Sequence, residues 1–341
     1  MNKSKLSLAL WLSAVLVTSA EAKATPFAIA IHGGAGTINK NEFPPEKQQA
    51  YKDTLQAAVN AGYQVLAQGG SSQQAVIDAV MVLENSPFFN AGVGAVYTHD
   101  EEHELDASIM LGHNRQAGAI TGVKRIKNPI LLANEVMQNS VHVMLSGQGA
   151  ENFAIQQGYQ LVDNSVFDTE HRYQALQRAK QKMLAKDQKQ YQAKHLNLDS
   201  NYKMGTVGAV ALDKHGNLAA ATSTGGMTNK RFNRIGDAPI IGAGTFAEND
   251  SCAVSATGHG EYFIRYNVAA DICARVKYQG LTIDNAANQV IHDVLLPVGG
   301  TGGVIVVDSQ GNIAMPFNTA GMYRASKSST GETQIKIFKD E

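Results

Sequence analysis

Apolar and polar residues alternate in short blocks along the chain, and the period of each block assigns its element. Phe27 to Thr37, "FAIAIHGGAGT", reads as a short apolar strand that runs into a glycine loop. A helix is expected from about Pro45 to Gln68, where Tyr51, Leu55, Ala58, Val59, Gly62 and Leu66 recur on one face and Gly69-Gly70 stops the turn. Ser71 and Gln74 have the spacing of a capping box ahead of a second helix with Val76, Ala79, Val80 and Leu83 facing inward. Leu105 to Val123 reads as a hairpin with a polar turn at His113-Asn114-Arg115. Asn128-Pro129 then opens another helix, with Asn at the cap and Pro in the first turn.

The second half repeats this order. Val207 to Gly226 and Gly302 to Gly321 both read strand, D-x-x-G-N turn, strand, with Gly216 and Gly311 supplying the positive φ of the turn. Two helical patterns, roughly Glu261 to Tyr278 and Thr282 to Leu295, lie between them. Helices outside and two packed sheets inside satisfy both halves, so the expected fold class is α+β, a four-layer αββα sandwich in one domain.

Composition changes this picture at two places. Of 341 residues, 44% are hydrophobic and 17% charged, enough for a large core. From Glu170 to Gly205, however, eight Lys/Arg face three acids and large apolar residues thin out, which reads as a solvated helix running into a linker. Aromatic residues there are limited to Tyr173, Tyr191 and Tyr202, and the net charge of the whole chain is −1, so neither nucleic acid nor an acidic membrane is an expected partner. The second place is the start. Lys3 and Lys5 precede the apolar run Leu6 to Val17, and Ala20, Ala22 and Ala24 give A-x-A sites, so residues 1–24 read as a signal peptide. The run is shorter than the roughly 20 residues a membrane span needs, which points to export to a periplasm or beyond. Cys252 and Cys273 are too few for a disulfide scaffold; an oxidising compartment permits one bridge, and their pairing stays open.

Candidate chemistry concentrates in the second half, at Thr206, at "TSTGGMTNKRFNRIGD" (Thr222 to Asp237) and at "ATGHGE" (Ala256 to Glu261). "TGHGE" precedes a helix, where free N–H groups favour an anion, and Arg234 with Asp237 suits a zwitterion. There is no G-x-S-x-G elbow, no P-loop and no H-E-x-x-H, and the ten histidines lack metal-ligand spacing. Thr206 stands where the linker ends and a buried strand begins. A threonine hydroxyl needs a base, and cutting the Gly205-Thr206 bond would create one in the α-amine of the same residue, with a pKa near 8. A strand-opening threonine is equally a strand former, and the residues alone leave both readings open.

The longer motifs add a resemblance. "GTVGAVALDKHGNLAAATSTGGMTNK", "NRIGD", "GAGTFA" and "TGHGE", with "AIHGGAG", "FNAGVGAVYT" and "HELDASIM" before them and "LPVGGTGG" and "PFNTAGMYRA" after, closely resemble the plant-type asparaginase and isoaspartyl peptidase family of N-terminal-nucleophile hydrolases. The resemblance spans nearly all of the chain after residue 24 except the linker. It implies the N-terminal-nucleophile fold, with self-cleavage into an α chain, 25–205, and a β chain, 206–341, and L-asparagine or β-aspartyl dipeptides as substrates. Thr206 matches the nucleophile, Thr224 the threonine that activates it, Thr257 and Gly258 the oxyanion hole, and Asn90 an active-site asparagine. Arg234 matches the clamp for the substrate α-carboxylate, Asp237 the partner of the α-ammonium, and Gly260 a backbone contact to that amine. The family needs no catalytic cofactor. It implies a structural sodium ion on backbone carbonyls of Leu83, Glu84, Ser86, Phe89, Ala91 and Val93, and a homodimer of αβ units. Gly205 and "TVGAV" at the cleavage position favour this branch over glycosylasparaginase, the alternative within the superfamily. An exported amino-acid-binding protein without turnover is the alternative outside it.

Overall fold

A computed structural model describes residues 25–38, 40, 43–187 and 205–341; the expected signal peptide and most of the linker lie outside them. In chain order the elements are β1 (Ala28–Gly36), α1 (Pro45–Ala67), α2 (Ser72–Glu84), β2 (Leu105–Leu111), β3 (Ala117–Val123), α3 (Pro129–Asn139), β4 (Met144–Ser146), α4 (Gly147–Gln156) and α5 (Glu170–Asp187). After the linker come β5 (Val207–Leu212), β6 (Leu218–Thr224), β7 (Thr245–Ala247), β8 (Cys252–Gly258), α6 (Gly260–Arg265), α7 (Val268–Gln279), α8 (Ile283–Asn288), β9 (Gly302–Asp308), β10 (Ile313–Ala314), β11 (Gly321–Ser328) and β12 (Gln334–Phe338).

The strands form two sheets, one ordered β12-β11-β1-β5-β6-β2-β3-β4 and one ordered β10-β9-β8-β7. Among the strands of the described residues, only the β3–β4 pair is parallel. Helices α1, α2 and α3 cover the outer face of the large sheet, α7 and α8 cover the small one, and β1, β5 and β6 pack across on β8 and β9. This is the expected four-layer αββα sandwich. Period-two alternation feeds two cores: Ile29 and Ile31 of β1 join the helix-facing core, while Ala28 and Ala30 join the core between the sheets. Because both faces of the large sheet are covered, β5 and β6 are buried at every position. Among the described residues no helix is long and apolar enough to cross a membrane.

Several local expectations are corrected. The "HGGAG" segment is not a loop but the end of β1, with a register shift between His32 and Gly34 that absorbs the glycines. Ser71 accepts from the Gln74 amide, yet the Gln74 side chain turns to Asp78 instead of back to Ser71, so only half of the capping box forms. Asn128 does not cap α3; its amide donates to the buried Glu84 carboxylate, which accepts the Ile130 N–H at the start of α3. The helix expected over Glu261 to Tyr278 breaks at Asn267, which takes φ 49° and separates α6 from α7. Its successor changes from α8 to a π-turn over Gln289–Leu295. Cys252 and Cys273 are bonded, tying β8 to α7.

Candidate active site

The site forms where three chain segments that each carry glycine meet: the end of β1, the start of β5, and the turn after β8. Gly205 has φ 122°, a value that favours glycine, and a side chain on Gly34 would collide with its Cα. Both glycines are therefore needed to bring the last residue of the linker against β1. The Gly205 carbonyl accepts the Asn90 N–H at 3.0 Å. Its neighbour Thr206 donates its hydroxyl to Thr224 Oγ1 at 3.1 Å, and Thr224 Oγ1 also accepts the Gly226 N–H at 3.0 Å.

Asn90 is fully engaged inside the protein. Its side chain donates to Gly226 O and accepts from Val96 N, while its backbone carbonyl accepts from Gly225 N. The structure makes it a brace that ties its own loop to the end of β6 and leaves its backbone N–H on the Gly205 carbonyl.

A pocket opens from Thr206 and Thr224 and is walled by Arg234, Asp237, Gly258 and Gly260. Thr257 lies beside it at the end of β8 and Asn90 lies behind it. Buried polar groups are normally hydrogen-bonded, so each exception calls for an explanation. Among the described residues the exceptions are Asp106 Oδ2, Thr169 Oγ1, Asp237 Oδ2 and Thr257 Oγ1. Two of the four are residues assigned to substrate and oxyanion binding. Burial pushes the Asp237 carboxyl up to about 7, partly offset by Arg234. Arg234 does not pair with Asp237. It makes a two-pronged ion pair with Glu261, at 2.9 and 3.0 Å, through Nε and one Nη, which leaves the N–H bonds of its other Nη. A side chain on Gly260 would press on both the Arg234 guanidinium and Asp237 Oδ1, so glycine there keeps the gap between the two charges open. The anion site expected at the "TGHGE" helix shrinks accordingly: α6 spans only Gly260–Arg265.

Sequence reasoning missed His32. It lies in β1 with no exposure, donates through Nδ1 to Thr206 O at 3.0 Å, and meets Ser255 Oγ through Nε2 at 2.9 Å. Burial pulls its pKa down to about 3, so the ring is neutral. Since a carbonyl only accepts, Nδ1 carries the proton and Nε2 is bare. That choice orients a whole chain of hydroxyls. Ser255 must donate to His32, Thr222 (2.7 Å) to Ser255, and Thr245 (2.6 Å) to Thr222, with Ser108 at 2.7 Å from Thr245 and 2.6 Å from the carbonyl of Ala238, next to Asp237. Gly208 makes room for it, because a Cβ there would overlap Ser255 Oγ and lie 2.6 Å from His32 Nε2. The available signal was a histidine within an otherwise apolar strand. Lys230, buried and paired with Glu104 at 3.1 Å, was likewise missed.

The segment assigned to sodium offers only oxygen. A side chain at Gly92 would strike the Glu84 carbonyl, and one at Gly94 the Phe89 carbonyl, so these oxygens crowd positions that glycine alone leaves open. Carbonyls keep a second lone pair after one hydrogen bond, and such a donor set fits a hard cation. Among the described residues no cluster of three His, Cys, Asp or Glu could hold a metal ion.

The family model described as asparaginase matches residues 25–337. The chain belongs to the asparaginase family. Among its relatives in that family, the isoaspartyl peptidase of Escherichia coli (strain K12) is 49% identical over 299 residues, which cover 87% of this chain and 91% of that protein. The putative isoaspartyl peptidase/L-asparaginase of Dictyostelium discoideum is 46% identical over 87% of this chain and 92% of its own. The isoaspartyl peptidase/L-asparaginase of Homo sapiens is 39% identical over 87% and 91%. Family membership thus spans both sides of the Gly205-Thr206 bond.

Proposed function

We propose that the protein is an exported threonine hydrolase that cuts itself between Gly205 and Thr206 and then hydrolyses L-asparagine and β-aspartyl dipeptides. The observation that carries this is the Thr206 hydroxyl, hydrogen-bonded to Thr224 and opening on a pocket where a buried carboxylate, its Oδ2 without a hydrogen-bond partner, faces an arginine across Gly260.

In maturation, Thr206 Oγ attacks the Gly205 carbonyl carbon while Thr224 Oγ1 accepts the hydroxyl hydrogen bond and the Asn90 N–H draws charge onto the carbonyl oxygen. The hydroxyl proton passes to the Thr206 nitrogen as the C–N bond breaks, the acyl group moves to Oγ, and water hydrolyses the ester to release a Gly205 carboxylate and the Thr206 hydroxyl with its free α-amine. In turnover that amine takes the Thr206 hydroxyl proton, and Oγ attacks the substrate side-chain carbonyl. Thr257 Oγ1 and the Gly258 N–H receive the oxyanion, an arrangement typically worth about 3–4 kcal/mol per donor. The α-ammonium gives its proton to the departing ammonia or amine, and water then hydrolyses the β-aspartyl ester. His32 holds the carbonyl of the nucleophile's own residue throughout, and being neutral and buried it positions the residue without exchanging protons.

Export is supported by the leader pattern and the Cys252–Cys273 bond, which suits an oxidising compartment. The test is release of ammonia and aspartate from asparagine, and of aspartate and amino acid from a β-aspartyl dipeptide, by protein whose intact mass and N-terminal sequences show leader removal and a fragment starting at Thr206. A chain that stays uncut at Gly205 would favour the binding-protein alternative. Light scattering on the same sample tests the dimer of αβ units.

The resemblance's sodium ion is part of this reading, with a structural role between Leu83 and Val93, next to Asn90. Exchanging sodium for choline should lower the unfolding temperature by several degrees. An unchanged value would remove the ion from the account.

A further inference from the structure

The loop that carries Arg234 is held by little of its own. Between β6 and Asp237 the chain forms no helix or strand, and Asn229, Phe232 and Asn233 take φ of 63°, 57° and 53° although none is glycine. Left-handed backbone is costly for residues with a Cβ, so contacts elsewhere must hold it. Packing does not supply them at the tip, where Arg231, Phe232 and Asn233 are exposed.

An inside tie comes from Lys230, the one buried lysine among the described residues. Its carbonyl accepts the His99 N–H at 2.9 Å and its own N–H goes to Met227 O at 3.0 Å, which fixes its backbone. Its side chain passes under Gly226, where a Cβ would come within 3.1 Å of Lys230 Cδ. Nζ then ends 3.1 Å from the buried Glu104 carboxylate, 3.5 Å from Glu104 O and 3.4 Å from the carbonyl of Arg234. Three donors thus meet three acceptors. Asp106, buried on β2, lies in the same field: burial raises its carboxyl, and Lys230 opposes the rise.

An ammonium is strongly hydrated, so burying one costs more than burying an apolar side chain of the same length. Lys230 does not line the pocket, so the reaction does not use its charge directly. Its reach is what the site can use. One end of the segment 230–234 is anchored by the Lys230 backbone and the other by its Nζ, on the carbonyl of the residue whose guanidinium faces the substrate. Arg234 is otherwise tied by its side chain to Glu261 and by its N–H to Arg231 O within the loop.

We propose that Lys230 is a positioning residue for the carboxylate clamp: gripped by Glu104, its ammonium fixes the Arg234 carbonyl and so sets how the guanidinium meets the substrate α-carboxylate. This rests on the hydrolase reading above, with Arg234 as the clamp. Loss of the ammonium then weakens recognition of the α-carboxylate selectively and leaves Thr206 and Asp237 in place.

The test compares L-asparagine with L-asparaginamide, which lacks the α-carboxylate charge, on fully cut protein, following L-aspartate and its α-amide as products. Wild type should favour the acid in kcat/KM by about 10²-fold. In Lys230→Met that ratio should fall about tenfold, mostly as a raised KM for asparagine, with the amide little affected. Because Lys230→Met strands the buried Glu104 carboxylate, the double variant Lys230→Met/Glu104→Gln repeats the measurement without an unpaired charge and should show the same fall. The ratio is taken within each protein, so loss of folded enzyme cancels, and a role in stability alone would leave it at the wild-type value. An unchanged ratio in the double variant, with asparagine hydrolysed by wild type, overturns the positioning role and leaves the hydrolase reading standing. Failure of the double variant to fold and cut does the same, because Lys230 would then serve the fold. A wild-type ratio near one removes the clamp and this role with it, and no turnover of asparagine by cut wild type overturns the hydrolase reading as well.

Discussion

Thr206→Ala should remain a single chain and turn over neither asparagine nor a β-aspartyl dipeptide, with a fall in kcat on the order of 10⁴-fold or more. The expectation is so large because one residue supplies both the nucleophile and, after cleavage, its base. Alanine keeps the backbone that Gly205 and His32 hold, so the fold should survive, with circular dichroism as the control. Thr224→Ala separates the two roles. It removes the acceptor of the Thr206 hydroxyl but leaves the α-amine, and loss of one small side chain opens no large cavity. It should therefore fold and turn over slowly. Spontaneous cutting of Thr206→Ala at residue 205, or full activity in Thr224→Ala, would each remove that residue from the mechanism.

The second large effect belongs to Asp237. If its carboxylate holds the substrate ammonium, N-acetyl-asparagine should lose about 2–4 kcal/mol of transition-state binding, on the order of 10²-fold in kcat/KM. Asp237→Asn should lose a similar factor for asparagine itself. The pH dependence has a definite sign. Burial raises the carboxyl to about 7, so below that pH the empty site is protonated and cannot pair with an ammonium group. kcat/KM, which reports the free enzyme, should fall as pH drops through about 7, steeply because the α-amine near 8 must also be unprotonated. In the complex the bound ammonium favours the carboxylate, so the Asp237 limb moves to lower pH in kcat and the amine limb remains. Identical limbs in the two profiles, or undiminished turnover of the N-acetyl substrate, would sink the assignment.

The long periodic elements were legible because their signal is local. The face of α1 read from the sequence, Tyr51 through Leu66, is the buried face, and the turns at Asp213 and Asp308 form with Gly216 and Gly311 at φ 79°. The layer count followed from the repeated order of strands and helices. The family motifs picked out Thr206, Thr224, Arg234, Asp237, Gly258 and Gly260, which the fold brings to one pocket.

What the sequence by itself determined, then, is the set of elements and the residue types at the site, since spacing along a helix or strand fixes which side chains share a face. The tertiary structure alone decided their state. His32 meets Ser255 across 223 residues of chain, Arg234 turns to Glu261 rather than Asp237, and Cys252 finds Cys273 when α7 packs on β8. Nothing local forces these contacts, because they depend on which faces the two sheets present to each other. Burial itself is also a tertiary property. It turns Asp237 from an ordinary carboxylate into a group that titrates at about 7 and keeps His32 neutral, because a charge removed from water loses hydration that its few partners do not fully replace.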